Sequence, residues 1–238
     1  MLPDFIRRWL PGALAVGGSP PWPDPLRDYM ARKRKPVKSA PFLEVRFVVF
    51  DTETTGLDLA KNRLLSIAGV AMNGGEVALD DTFDVMVAQT DVGGAGAAVV
   101  HGLISNDLIG GLPESEAVAR FLAFAGDSVL VAHHAWFDLR MLQKAIAPYR
   151  GAKVWSPIVD TAQLARRVEV GPMPTGEAHG ADDRESYRLD NLVRRYAIEV
   201  PERHTAAGDA LATALLFQRL LKKAERRGIT TLGDLLSR

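Results

Sequence analysis

Short apolar runs, separated by turn residues, occupy much of the chain after residue 42. The first, VRFVVFDTE, is β-branched and aromatic, which is typical of a buried central strand. The second run is followed by Asn73-Gly74-Gly75, so it forms a predicted hairpin with the third run. In chain order, the predicted strands span residues 45–53, 63–73, 81–89, 128–134 and 153–160.

Helical periodicity fills most of the intervals after the hairpin. Gly126 and Gly228 are suitable terminators for two of these segments. The predicted helices span residues 25–33, 105–111, 114–126, 135–149, 161–169, 188–198, 204–228 and 231–237. Three strands in hairpin connection, followed by strands alternating with helices, predict one mixed sheet with helices on its faces, which is an α/β domain.

The first 41 residues differ from the rest because they are rich in proline and contain the basic run ARKRK. Proline at this density disfavours regular structure, so we expect an extended arm with one short helix. The sequence therefore predicts a basic arm over residues 1–41 and a folded domain over residues 42–238. Arg7 and Arg8 precede a short apolar stretch, but Asp4 and Pro11 are unlike a signal peptide, so a cytoplasmic location is expected.

Composition excludes several classes of protein. The 238 residues are 47% hydrophobic and 24% charged, unlike disordered, collagenous or fibrous chains. The absence of cysteine excludes disulfides and thiolate-bound metals, and no apolar run is long enough to span a membrane. The formal net charge of +0 gives no general attraction to phosphate, yet it combines a net +5 over residues 1–40 with a net −5 over the remainder.

Asp51 and Glu53 are the first candidates for chemistry. They end an apolar strand and lie two positions apart, so both side chains face the same side of the strand. Carboxylates this close repel each other unless a cation lies between them, and hard divalent cations prefer oxygen ligands. On this motif alone, two solvated carboxylates at a strand end are the more ordinary interpretation.

Three more residues strengthen the interpretation of Asp51 and Glu53 as cation ligands. Asp138 lies in the first turn of a predicted helix, where an acidic residue also simply favours the helix dipole. Asp209 interrupts the small and apolar run AAGDALATALL, and a carboxylate on such a face needs a partner. His204, five residues earlier, is a candidate general base.

Taken in order, these segments resemble a known family. FVVFDTETTGLD, VLVAHHAWFDLRML and HTAAGDALATALLF resemble the three motifs of the DnaQ-like 3′→5′ exonucleases, and the final histidine resembles the DEDDh subgroup. VVHGLISNDL, IVDTAQLAR and RLDNLVRRY extend the resemblance to residues 45–220. The implied fold is ribonuclease H-like, with a five-stranded mixed sheet flanked by helices.

The resemblance implies a two-metal site and assigns its residues. Asp51, Glu53 and Asp209 would bind one Mg²⁺ or Mn²⁺, and Asp51 and Asp138 a second. His204 would take the proton from the attacking water. The expected reaction releases nucleoside 5′-monophosphates from the 3′ end of single-stranded DNA.

The resemblance also implies contacts to the terminal nucleotide. Backbone groups around Thr54, Thr55 and Gly56 would approach it, Leu57 would pack against its base, and His101 would lie nearby.

One departure from the family pattern is His134, which stands where the second motif commonly has asparagine. Its neighbour His133 is expected to be a core histidine. The two are not expected to share a metal, because adjacent strand residues face opposite ways.

DNA is the favoured substrate, because the motif DTETTGL looks more like the proofreading branch of the family than like its ribonuclease branches. Two alternatives to a DNA exonuclease remain open. One is an exoribonuclease that acts on short RNA. The other is a non-catalytic module. In either case the basic arm is a candidate contact for nucleic acid, a polymerase or another protein, and no membrane partner is expected.

Overall fold

The protein is described by a computed structural model that covers residues 19–89, 110–171 and 185–237. One five-stranded sheet has the strand order β3-β2-β1-β4-β5. The antiparallel neighbours are β1–β2 and β2–β3, and the parallel neighbours are β1–β4 and β4–β5. The strands are β1 (Phe47–Thr54), β2 (Leu64–Asn73), β3 (Glu76–Met86), β4 (Val129–Ala132) and β5 (Ile158–Asp160). The predicted mixed sheet is confirmed.

The helices also follow the predicted order. They are α1 (Asp24–Ala31), α2 (Glu114–Ala125), α3 (Trp136–Ala145), α4 (Thr161–Glu169), α5 (Leu189–Arg195), α6 (Ala206–Arg226) and α7 (Leu232–Leu236). A short 3₁₀ helix, Phe42–Glu44, precedes β1. Most of the helix predicted at residues 105–111 lies outside the described residues. None of the described helices is long and apolar enough to cross a membrane.

Alternate residues of β1 face two separate apolar layers. Phe47 and Val49 belong to the layer on the α6 side, where the Phe47 ring lies 5.1 Å from that of Phe217. Phe50 belongs to the opposite layer, and its ring lies 5.0 Å from that of Phe121 in α2. Because both faces of β1 are covered, its carboxyl end is a firmly held point from which side chains project.

The described part of the arm packs into the second apolar layer. Leu26 and Tyr29, on one face of α1, are both completely buried. The Tyr29 ring stacks on Trp155 at 4.9 Å, and its hydroxyl oxygen accepts the backbone N–H groups of Trp155 and Ser156 at 2.9 and 3.1 Å. The predicted short helix is confirmed, and residues 19–41 are tied to the body. The domain boundary at residue 41 stays a prediction.

These same bonds explain why β5 is shorter than the strand predicted at 153–160. The N–H groups of Trp155 and Ser156 bind the Tyr29 hydroxyl, so the regular strand begins only at Ile158. A period-two pattern shows which residues are apolar, but it does not show that a distant tyrosine competes for their backbone groups.

Tyr29→Phe should lower the free energy of unfolding by about 2 kcal/mol, because two backbone N–H groups lose their acceptor. Tyr149→Phe is a matched control, since among the described residues that hydroxyl binds only the Ser115 side chain, at 3.3 Å. Urea denaturation of both variants measures the difference. Equal losses in the two variants would contradict the proposed importance of the Tyr29 hydroxyl.

Candidate active site

Three carboxylates meet at the carboxyl end of β1. Asp51 and Glu53 continue the β1 face that carries Phe47 and Val49, as the period-two pattern predicts. On the same side of the sheet, the first turn of α6 brings Asp209 to them. One carboxylate oxygen from each of Asp51, Glu53 and Asp209 lies within 4.8 Å of the others, which is a spacing that could hold a metal ion.

The electrostatics of this cluster favour a cation. Burial raises the pKa of Asp51 well above its ordinary value, and the negative charges of Asp138, Asp209 and Glu53 raise it further. Burial, with Asp209 and Asp138, raises the pKa of Glu53 to about 7. Burial also raises the pKa of Asp209, although the Arg203 guanidinium partly offsets this effect. A hard divalent cation relieves such repulsion, so the donor set fits Mg²⁺ or Mn²⁺.

Asp138 reaches the site from the other face of the sheet. It is the third residue of α3, is buried, and accepts a 2.6 Å hydrogen bond from the Thr52 hydroxyl. Burial raises its pKa to about 7, against the lowering effect of the Thr52 hydrogen bond. Asp138 stands beside the three-carboxylate cluster, since its charge acts on both Asp51 and Glu53. Sequence reasoning missed Thr52. Its place between Asp51 and Glu53 is the signal that could have indicated it.

His204 lies at a tight corner before α6. Its backbone has φ +66°, and its N–H donates to Asp209 Oδ1 at 3.2 Å, while its side chain is exposed. Thr205 caps the helix by accepting the N–H of Gly208 at 3.0 Å. A side chain at Gly208 would place its Cβ 2.0 Å from the Glu202 carbonyl oxygen, so the corner requires glycine there. The corner holds His204 directly beside Asp209.

Arg203 is a further site residue that sequence reasoning missed. Its Nε lies 3.2 Å from Asp209 Oδ1, and its Nη2 donates to Asp190 in the first turn of α5. The side chain is only 19% exposed. Adjacency to His204 was the available signal, but a partner thirteen residues away on another helix is not visible in the sequence.

The loop after β1 is compact. The Thr54 hydroxyl donates to the Gly56 carbonyl at 2.8 Å, and the Thr55 N–H donates to the Arg63 carbonyl at 3.0 Å. Gly56 has φ +152°, and a Cβ there would lie 2.7 Å from Asn62 Nδ2. The loop leaves Leu57 with 85% of its surface exposed. His101, the other residue predicted to contact substrate, lies outside the described residues.

Lys144 ties this loop to α3. Its ammonium group donates to the carbonyls of Leu59 and Asn62 at 2.8 and 2.6 Å. Helix α3 therefore carries Asp138 near its amino end. Near its carboxyl end it holds the loop of residues 55–63, called the Leu57 loop below. No sequence motif marked Lys144.

His133 is a core histidine, as expected. Its Nδ1 and Nε2 lie 2.9 Å from the Thr161 hydroxyl and the Tyr187 carbonyl, and burial lowers its pKa to about 3. The argument that His133 and His134 face opposite ways was wrong, because β4 ends at Ala132 and His134 has φ +55°. Their rings are in edge contact at 4.5 Å. In the described part of the chain, neither belongs to a potential metal cluster.

A family model described as exonuclease matches residues 48–217. The chain belongs to this exonuclease family. Among its relatives, a DNA polymerase III subunit epsilon-like protein of Rhodobacter capsulatus is 37% identical over 83% of the chain and 27% of that protein. A PolC-type DNA polymerase III of Halalkalibacterium halodurans is 35% identical over 79% of the chain and 12% of that protein. The chain therefore spans a small share of either relative.

Solved structures with the same fold include Escherichia coli exonuclease I. Its complex with a dT13 oligonucleotide has a TM-score of 0.61 and 18% identity, over 77% of this chain and 42% of that one. A zinc-bound complex of the same enzyme with single-stranded DNA has a TM-score of 0.62 and 19% identity, over 78% and 42%. The ribonuclease H-like fold implied by the motifs is confirmed.

Glu53→Gln should stabilise the metal-free exonuclease domain by about 1–2 kcal/mol at about pH 8, because the folded protein then no longer carries this ionised group in a repulsive site. The pKa of Glu53 is raised to about 7, from 4.5 ordinarily. The ionised Glu53 therefore destabilises the folded protein fully above pH 7, and this destabilisation disappears as pH falls towards 4.5. Urea denaturation in EDTA at the two pH extremes measures the difference.

Glu76→Gln, at an exposed position of β3, is the control. It should leave the free energy of unfolding unchanged at both pH extremes. Added Mg²⁺ should stabilise the unmodified protein more than Glu53→Gln, which lacks one ligand charge. A Glu53→Gln protein no more stable than the unmodified protein at high pH would contradict the repulsive cluster.

Proposed function

We propose that this exonuclease-family chain is a metal-dependent 3′→5′ exonuclease that releases nucleoside 5′-monophosphates from single-stranded DNA. The observation that carries the proposal is the cluster of Asp51, Glu53 and Asp209, with oxygens within 4.8 Å of one another, in a chain of this family. Single-stranded DNA is favoured because exonuclease I, which shares the fold, is known in complex with a dT13 oligonucleotide.

Two groups of carboxylates would hold the metal ions. Asp51, Glu53 and Asp209 suit one Mg²⁺ or Mn²⁺, and Asp51 with Asp138 suits the second, since the charge of Asp138 is felt at Asp51. When bound, such ions supply Lewis acidity for the attacking water and the leaving 3′-oxygen. The Thr52 hydroxyl orients Asp138 by donating to its Oδ1.

His204 is the proposed general base. Its side chain is exposed while its backbone N–H is bound to Asp209, and these two facts support a place for the imidazole beside the acidic cluster. Imidazole accepts protons near neutral pH, and it need only reach the water beside the cluster.

The Leu57 loop is the proposed contact for the terminal nucleotide. Hydrogen bonds of Thr54 and Thr55 hold the loop backbone, and Gly56 leaves room for the Asn62 side chain that packs against it. The exposed Leu57 side chain offers an apolar surface for a base. His101 remains a proposed neighbour of the same nucleotide.

The biological context follows from the relatives. Both are named as DNA polymerase III proteins, so we propose that a polymerase is a partner of this chain. We propose that the polymerase binds through the basic residues 1–41. The exposed part of that segment includes the basic run at residues 32–35.

Purified protein with Mn²⁺ should shorten a 5′-labelled single-stranded DNA from its 3′ end and produce mononucleotides. The Asp51→Ala, Asp209→Ala double variant should lose at least about a thousandfold in rate, because the metal ligands are removed. Gel electrophoresis with RNA and mismatched duplex DNA alongside defines the substrate. Glu76→Ala is the control. Faster cleavage of RNA would favour the exoribonuclease, and full activity in the double variant would refute the proposal.

His204→Ala should lower kcat by about 10²- to 10⁴-fold and leave Mg²⁺ affinity nearly unchanged, because the side chain moves a proton and holds no metal. Single-turnover kinetics and calorimetric metal titration separate the two effects. Loss of metal affinity equal to the loss of rate would show that His204 is instead a structural part of the metal site.

A further inference from the structure

Arg203 connects the metal cluster to a neighbouring helix. Its Nε contacts Asp209 Oδ1 at 3.2 Å, and its Nη2 contacts Asp190 in α5. The guanidinium is mostly enclosed, with 19% of the side chain exposed, while Asp190 is 55% exposed. A planar guanidinium held by two carboxylates has little freedom to rotate.

The contacts of Asp209 are concentrated on one of its two oxygens. Oδ1 accepts the backbone N–H of His204 at 3.2 Å and forms an ion pair with Arg203, whose Nε lies 3.2 Å away. Within the described ranges, no hydrogen bond or ion pair engages Oδ2. Asp209 can therefore offer Oδ2 to a metal while the His204 N–H and the Arg203 guanidinium hold Oδ1.

The number of oxygens that a carboxylate offers matters for the choice of metal. Ca²⁺ takes about six to eight oxygen ligands and readily binds both oxygens of one carboxylate. Mg²⁺ is smaller, requires octahedral geometry and takes one oxygen from each carboxylate, with water in the remaining positions.

We propose that Arg203 is a specificity-determining residue that restricts Asp209 to single-oxygen ligation and so favours Mg²⁺ over Ca²⁺ at this site. The inference rests on the metal site of the proposed function and adds the residue that selects the ion. The charge of Arg203 repels every divalent cation to a similar degree, so this effect cancels in the ratio of the Mg²⁺ and Ca²⁺ dissociation constants. The ratio isolates the geometric contribution.

The test compares Mg²⁺ and Ca²⁺ binding by calorimetry in the unmodified protein, Arg203→Met and Arg194→Met. Methionine keeps an unbranched side chain but removes the donors. Arg194 is the matched control, because it is exposed on α5 and binds only Asn191 among the described residues. In Arg203→Met, Ca²⁺ affinity relative to Mg²⁺ should rise by about threefold or more, and in Arg194→Met it should not change.

Asp190→Ala keeps the experiment decisive if Arg203→Met fails to fold. It removes only the outer anchor of Arg203, at an exposed position, and should shift the ratio in the same direction by a smaller factor. An unchanged ratio in folded variants, while the unmodified protein binds Mg²⁺, overturns the role of Arg203 alone. Absence of binding in the unmodified protein overturns the metal site of the proposed function as well.

Discussion

The repulsion among carboxylates at the end of β1 is the constraint to which the surrounding structure responds. Asp51, Glu53 and Asp209 lie close together in a partly buried place, and burial with mutual repulsion raises their pKa values. Such an arrangement persists only if its supports are rigid. The apolar layers on both faces of β1 provide that rigidity, so the strand carries the acids without yielding to their repulsion.

Neighbouring residues engage one oxygen each of Asp138 and Asp209. Thr52 binds one oxygen of Asp138, and His204 with Arg203 binds one oxygen of Asp209. The tight corner before α6 makes the second arrangement possible, since Gly208 lets the Glu202 carbonyl come within a distance that no side chain permits. The geometry of this carboxylate site therefore depends on the backbone as much as on the acids themselves.

The sequence predicted the order of the elements and the acidic residues because both leave local signals. Alternation in β1 placed Asp51 and Glu53 on one face, and an acid in an apolar helix marked Asp209. Lys144 left no such signal, and Arg203 left only its adjacency to His204. The role of Arg203 depends on Asp190, and that of Lys144 on the carbonyls of Leu59 and Asn62, which only the folded chain brings near. The early end of β4 at Ala132 likewise depends on the left-handed His134, which strand periodicity does not reveal.

The docking of Tyr29 has a consequence for the order in which the chain folds. Its partners Trp155 and Ser156 are 126 and 127 residues further along the chain. During synthesis from the amino end, α1 emerges long before the surface that covers Leu26 and Tyr29 exists. Contacts across so long a separation form late, after the loop between them has closed. The apolar face of α1 therefore stays uncovered until residues 155 and 156 have been made and folded against it.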